Sequence, residues 1–197
     1  MPQIVKAFEN HFACVAEKLP SPRTIAPDYA AKLSPTMAIT TQLEAAIQGF
    51  DEIILGGVPI LLRQNETAFL SFMCSGAAID ALAGYRYTTN NVGERFQDFI
   101  KEYFPAAYVT HAERLYLLRC RLLHNFSPAY FTLAHAASTA HLTTSQIGDP
   151  ILSDDTFFFD LSAAAKKFFD EVRSDSERQD AMNARLSNLE KGGAIYY

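Results

Sequence analysis

The chain has 197 residues, of which 49% are hydrophobic and 20% are charged, and its formal net charge is −5. This is the composition of a globular protein with a real core, and the negative balance argues against a general attraction to nucleic acid, although a local basic site is compatible with it. The longest apolar run, from Ile53 to Leu62, is interrupted by Gly56, Gly57 and Pro59, which predicts that no segment spans a membrane.

The N-terminal residues and the cysteines indicate the cellular compartment. Residues 1–6 turn polar and are followed by acidic residues too soon for a signal peptide. The three cysteines, Cys14, Cys74 and Cys120, are odd in number and have no metal-ligand spacing. We therefore expect free, buried thiols in a reducing cytoplasm.

Hydrophobic periodicity predicts helices through most of the first half of the chain. A first amphipathic helix is expected over residues 4–18, followed by a proline-rich loop. Ser34 and Pro35 form an N-cap and first-turn pair. They open a second helix that Gly56 and Gly57 end, while residues 58–64 are ambiguous. The core stripe of this second helix comprises Ile39, Leu43, Ala46, Phe50 and Ile53.

Capping residues place the next helices. Asn65 is expected to cap a third helix that runs to about Leu82. Asn91, with Glu94 three residues later, is expected to cap a fourth helix that stops at Pro105. The inward residues of this fourth helix are Phe96, Phe99, Ile100 and Tyr103. Thr110 and Glu113 then form a capping box for a fifth helix, which ends before Ser127 and Pro128.

The pattern changes after this fifth helix. The segments 130–133 and 156–159 are β-prone and are separated by a turn at 148–150, which predicts a two- or three-stranded ribbon. A helix is expected from 160 to about 172. Ser174 and Glu177 are expected to cap a last, mostly polar helix that ends at Gly192-Gly193. Its thin apolar stripe (Met182, Leu186 and Leu189) suggests packing on a partner subunit.

Together these elements predict a mainly α fold: a helical bundle with a small β-ribbon insertion and C-terminal helices. The chain is read as one domain over 1–197. An N-terminal helix and proline-rich loop occupy 1–33, the bundle core 34–126, the ribbon 127–160, and the C-terminal helices 161–197.

Two opposite charges fall on apolar helix faces. On a helical wheel Arg119 lies within the arc of Leu115 and Leu123. Asp80 lies in the middle of the apolar face of the third helix. Because a guanidinium cannot lose its charge on burial, we expect Arg119 to pair with Asp80. The alternative is that Arg119 points into a cleft or a dimer interface and binds phosphate, for which its planar fork is suited.

The same helix carries the other candidate site residues. His124 lies near its C-terminus, where the helix dipole favours the imidazolium, and an imidazole near an arginine is suited to acid–base cleavage of a phosphodiester. Arg121 offers a second phosphate contact or is a solvated charge. Tyr116 precedes Arg119 by three residues, and Asn125 follows His124 directly.

The segment Leu115 to Asn125, with an arginine, four residues and a histidine late in a helical bundle, resembles the HEPN superfamily (higher eukaryotes and prokaryotes nucleotide-binding). The resemblance covers roughly residues 36–125 as a pattern of helices. It implies a homodimeric, metal-independent ribonuclease or toxin without a cofactor, with RNA or a nucleotide as ligand and an antitoxin-type protein as a possible partner. Arg119 and His124 would be catalytic, Arg121 and Asn125 would bind substrate, and Asp80 and Tyr116 would support them. Cys120 departs from the polar residue, commonly asparagine, that often follows the arginine in the family.

Two functions remain open from the sequence. The first is the ribonuclease, which the motif and its surroundings favour. The second is a non-catalytic helical domain that binds a partner protein or a nucleotide, with Arg119 structural, which the acidic net charge and Cys120 favour. A metal site formed by His124, His135 and His141 is disfavoured because their spacing matches no ligand pattern.

Overall fold

The structure is a computed structural model that describes the backbone of residues 35–128 and 130–191 and the side chains of 42–128 and 130–188. The helix predicted over 4–18, the proline-rich loop and the Gly192-Gly193 stop lie outside these residues. The described chain is mainly helical with one small two-stranded sheet, which confirms the predicted fold class. The described residues from 36 onward belong to one compact unit.

The first described helix, α1 (Pro35–Phe50), continues into a π-helical turn, Asp51–Leu55. A π turn holds more residues than an α turn, so the buried stripe shifts along the sequence at this point. Ile53, which the sequence places in the core stripe, is therefore 52% exposed, whereas Ile54 and Leu55 pack against the core. After Gly56 and Gly57 the ambiguous segment forms the short helix α2 (Val58–Leu61).

Helix α3 (Ala68–Arg86) is the central element, and α4, α5, α6 and α7, defined below, all pack against it. Asn65 does not cap it, because residues Asn65–Thr67 form a 3-10 turn and Thr67 takes the N-cap position without a side-chain cap bond. The Thr67 hydroxyl donates instead to the carbonyls of Leu61 and Gln64. The helix also runs past the predicted end near Leu82. Gly84 is buried, and tertiary packing there outweighs the weak helix propensity of glycine.

The stretch Asn65–Arg86 is long and apolar enough to cross a membrane by length and composition alone. Half of its apolar window is buried inside the protein. Such burial is what the core helix of a soluble protein shows, and the packing of α3 against its neighbours accounts for its composition.

Helix α4 (Val92–Tyr103) confirms its predicted cap: the Asn91 side chain accepts a 3.2 Å hydrogen bond from the Glu94 N–H. All the residues predicted to face inward on this helix are buried. Helix α5 (Ala112–Asn125) begins differently from the prediction. Residues Ala106–His111 form a 3-10 turn that includes Thr110, and the N-cap, His111, makes no side-chain cap bond, so the predicted capping box is wrong.

The predicted ribbon is a parallel sheet of two short strands, β1 (Thr132–Ala134) and β2 (Ile151–Ser153), with Leu133 opposite Leu152. The second predicted strand, over 156–159, is wrong. These residues lie in α6 (Asp154–Ser174), which begins at Asp154 rather than near Asp160. In helical spacing Phe157 joins the buried stripe of α6, so burial overrides the β propensity of the phenylalanines.

The last helix, α7 (Ser176–Lys191), packs on α3 and α6. Met182 is fully buried and Leu186 packs against the core, so these two residues of the predicted stripe are covered within the chain. The side chain of Leu189 lies outside the described residues, and packing of this helix on a partner subunit stays a prediction. Its cap is Asp175, whose carboxylate accepts a 2.9 Å bond from the Glu177 N–H. The predicted cap, Ser174, instead donates its hydroxyl to carbonyls of the preceding turn.

Candidate functional site

The pair predicted between α3 and α5 is present. Arg119 donates from Nη2 to Oδ2 of Asp80, and the two side chains are 20% and 16% exposed. Gly76 lies one turn before Asp80 on the same face of α3. A Cβ atom at Gly76 would lie 3.2 Å from Cγ of Arg119, so the missing side chain is what lets the arginine cross α3 closely. The predicted contact between Asp80 and Arg119 is therefore present in the structure.

Two further arginines join this pair. Arg95 of α4, 11% exposed, brings Nη2 to 3.8 Å from Oδ1 of Asp80. Arg185 of α7 lies beside Gly84, one turn after Asp80: a Cβ at Gly84 would be 3.7 Å from Nε of Arg185 and 4.0 Å from Cζ of Arg95. We call Asp80, Arg95, Arg119 and Arg185 the arginine cluster. Four helices supply its members, one residue each.

The sequence contained a signal for the two arginines that its interpretation missed. Arg95 precedes the buried Phe99 by four residues, and therefore lies within the apolar arc of α4. Arg185 follows the buried Met182 by three residues on α7. Each is thus a charge on a buried helix face, which is the same feature that singled out Arg119.

The cluster is rich in positive charge and incompletely satisfied. Three guanidinium groups lie along α3 near a single carboxylate: Arg95 and Arg119 come within 4.0 Å of Asp80, Arg185 does not, and no other described carboxylate lies within 4.0 Å of any of them. Among the described residues, Arg95 Nε, Arg119 Nε and Asp80 Oδ1 are buried without a hydrogen-bond partner. Arg185 makes no ion pair with any side chain over 42–128 and 130–188. Buried polar groups are normally bonded, so this site has unused donors.

Tyr116 supports the cluster from the side. Its ring lies 5.7 Å from the ring of Phe96, and a Cβ at Gly93 would be only 2.9 Å from its Cε1. The pKa of the Tyr116 hydroxyl is raised, mainly by a hydrogen bond with Cys120 and to a lesser extent by burial. The Cys120 sulphur is also 3.9 Å from Nη1 of Arg119. The residue at which the motif departs from the HEPN pattern therefore touches both the tyrosine and the arginine.

The remaining motif residues face solvent. Arg121, His124 and Asn125 are exposed, and their side chains make no hydrogen bond or ion pair with other described residues. Arg119, by contrast, points inward at Asp80. Arg119 and His124 of a single chain therefore do not face a common site. This agrees with their positions on the helix, which are about 140° apart around its axis.

A second polar group fixes the segment between α5 and α6. Nδ1 of His141 accepts a 3.1 Å bond from the Ser153 N–H, which assigns the ring proton to Nε2. Nε2 then donates to the hydroxyl oxygen of Tyr108 at 2.7 Å, and Tyr108 donates to Asp160 at 2.7 Å. Burial lowers the pKa of His141, opposed by the charge of Asp160. The chain of bonds ties the loop to α6 while His141 is neutral.

His135 has a separate role nearby. Its Nδ1 lies 2.7 Å from Oδ2 of Asp154, whose side chain is fully buried. The other oxygen of Asp154 accepts the N–H groups of Ala136 and Asp155 at 3.0 and 2.8 Å. His124, His135 and His141 thus have three different surroundings, and the structure does not assemble them into a common ligand set.

Comparison with known proteins adds no assignment: no protein-family model matches the chain, and no curated protein or solved structure shows significant similarity to it.

Proposed function

We propose that this chain is a HEPN-like, metal-independent ribonuclease that acts as a homodimer. Arg119 binds the scissile phosphate and His124 takes or gives the proton at the reacting oxygen. The 2′-hydroxyl gives up its proton as its oxygen bonds to phosphorus, the bond from phosphorus to the 5′-oxygen breaks, and that oxygen takes up a proton and leaves as a 5′-hydroxyl. A 2′,3′-cyclic phosphate remains on the other fragment. Arg121 and Asn125 contact the RNA on either side of His124.

The observation that carries this proposal is the state of His124. It is an exposed imidazole at the C-terminal end of α5 with no described partner. It is therefore accessible to a substrate, whereas both ring nitrogens of His141 and Nδ1 of His135 make hydrogen bonds within the chain. General acid–base catalysis needs an accessible group that can exchange a proton with the substrate, and an imidazole is such a group.

The dimer is part of the proposal because Arg119 and His124 of one chain face different directions. A second copy that packs with its own α5 against the first would bring His124 of one chain toward the arginine cluster of its partner. This arrangement would place an acid–base group and a phosphate-binding group on one phosphodiester, as in-line cleavage requires.

One observation favours the second candidate, a non-catalytic helical binding domain. Arg119 is bonded to Asp80 and about four-fifths buried, and such a pair between helices serves packing without any substrate. In that case the ligand is a protein or a nucleotide, and His124 has no chemical role. RNA turnover separates the two candidates directly.

The test is cleavage of a mixed-sequence RNA by the full chain in the presence of EDTA. The parent is compared with His124→Ala and with a matched control, Arg114→Ala. Arg114 is exposed on the same helix and without a described side-chain bond, about 15 Å along the axis from His124. Both side chains are exposed, so both variants should fold as the parent does.

We expect the parent and Arg114→Ala to cleave at the same rate and His124→Ala to lose activity by at least about 100-fold, the usual range for an acid–base group. The products should end in a cyclic phosphate. Equal cleavage by His124→Ala would exclude the assigned role, and absence of cleavage by the parent would favour the binding domain.

A further inference from the structure

We propose that the arginine cluster is an anion site that takes one phosphate group, with Arg95 and Arg185 as binding residues beside Arg119. Neither Arg95 nor Arg185 belongs to the sequence motif. The site does not require the chain to be a nuclease, because phosphate binding is compatible with both candidate functions. It goes beyond them by naming the ligand chemistry and two new contact residues.

Three arginine side chains converge on one face of α3. Arg95, Arg119 and Arg185 come from three different helices and all lie along one face of α3. Gly76 and Gly84 flank Asp80 by one turn on each side, and a Cβ added at Gly76 would lie 3.2 Å from Cγ of Arg119 and one added at Gly84 would lie 3.7 Å from Nε of Arg185. Long cationic side chains usually extend into water, whereas these pack over a glycine-lined stripe at 11% and 20% exposure for Arg95 and Arg119.

The arginine cluster carries an excess of positive charge. Asp80 compensates one of the three guanidinium groups, so two positive charges remain without a counterion among the described residues. Partly buried like charges repel one another and are costly to desolvate. The acidic net charge of the whole protein, −5, is a mean over the chain and leaves this local excess intact. An anion would supply the missing charge.

The arginine cluster also has guanidinium N–H donors without a described acceptor. Nε of Arg95 and Nε of Arg119 are buried with no hydrogen-bond partner among the described atoms. A phosphate group carries up to two negative charges and several acceptor oxygens, and the fork of an arginine donates two bonds to it. Phosphate therefore matches both the number of donors and the excess charge, whereas a carboxylate offers one charge and two oxygens.

Asp80 gives the proposal a distinctive consequence. Its carboxylate competes with the ligand for Arg95 and Arg119. Removing its charge should strengthen anion binding while removing an arginine should weaken it. A cluster that serves packing alone would bind no anion in either case.

The experiment is calorimetric titration of the full chain, in a phosphate-free buffer of low salt, with inorganic phosphate, adenosine monophosphate and a uridine octamer without terminal phosphates. The first two probes report a free phosphate or nucleotide, and the octamer reports the RNA backbone. The variants are Arg185→Ala and Asp80→Asn, and the control is Arg63→Ala. Arg63 is exposed, outside the cluster and without a described side-chain partner.

We expect at least one probe to bind, Arg185→Ala to weaken it about tenfold, as loss of a charge-assisted hydrogen bond does, and Arg63→Ala to leave it unchanged. Asp80→Asn should bind more tightly than the parent. Arg185 makes no described ion pair, so its alanine variant tests the site even if Asp80→Asn does not fold. Absence of binding by the parent, or equal weakening by Arg185→Ala and Arg63→Ala, would overturn the proposal.

Discussion

Replacement of Arg119 by methionine tests the structural half of this account. The substitution keeps an unbranched apolar stem over Gly76 and removes the charge that faces Asp80. Breaking a fully buried ion pair costs about 3–5 kcal/mol. Here the two side chains are 20% and 16% exposed, and Arg95 remains 3.8 Å from the other carboxylate oxygen. We therefore expect a loss of about 2–3 kcal/mol, in the lower part of that range.

Asp80→Leu should be the more damaging change, because it takes the carboxylate from both Arg95 and Arg119 and leaves all three guanidinium groups of the cluster without a described counterion, whereas Arg119→Met leaves Asp80 beside Arg95. Combining it with Arg119→Met should cost less than the sum of the single changes. The difference between that sum and the double variant should be at least about 1 kcal/mol. Arg114→Met, exposed on the same helix, should change stability by less than about 0.5 kcal/mol.

Urea unfolding followed by circular dichroism gives the free energy of unfolding of the parent and of each of the four variants. For a chain of this length, 2–3 kcal/mol corresponds to a fall of about 5–10 °C in the melting temperature. The reasoning is refuted if Arg119→Met unfolds at the urea midpoint of the parent. It is also wrong about Arg95 if Asp80→Leu proves milder than Arg119→Met.

Two more outcomes follow from the geometry. Burial depresses the pKa of His141 below its ordinary value of 6.5, so the unfolded chain binds a proton at this residue more readily than the folded chain. The free energy of unfolding should therefore fall as the pH drops below about 6.5. His141→Gln should flatten this dependence, as measured by urea titrations at several pH values. Gly49→Ala, where a Cβ meets nothing within 4 Å, should raise the free energy of unfolding by about 0.5–1 kcal/mol, whereas Gly76→Val, crowded by Arg119 at 3.2 Å, should lower it by about 1–3 kcal/mol. The reverse order of the two glycine variants would show that the close approach at Gly76 is not a constraint.

Features that depend on the face of one helix could be predicted from the sequence. Asp80 and Arg119 each interrupt an apolar face, and only a partner of opposite charge makes that tolerable, so their pairing follows from two helical wheels. The Asn91 cap depends on a contact three residues away and was likewise predictable. In each case the information is local, or involves two strongly patterned helices.

Features that depend on tertiary packing could not be predicted. The phenylalanines near 157 prefer strands locally, but burying Phe157 against the bundle extends α6 over them. The π turn after Phe50 exchanges Ile53 for Ile54 on the core face, and nothing in the hydrophobic period signals it. Arg185 was overlooked because the apolar stripe of α7 is short, although Met182 beside it is fully buried.

The most direct measurement of the central claim is cleavage of RNA by a mixed dimer. Arg119→Ala and His124→Ala chains, carrying different tags, are co-expressed and purified through both tags. One site of such a dimer combines the intact Arg119 of one chain with the intact His124 of the other. We predict that each variant alone is inactive in EDTA and that the mixed dimer regains about half of the parental rate. A parent that cleaves while the mixed dimer stays inactive, or a parent that does not cleave, would contradict the account.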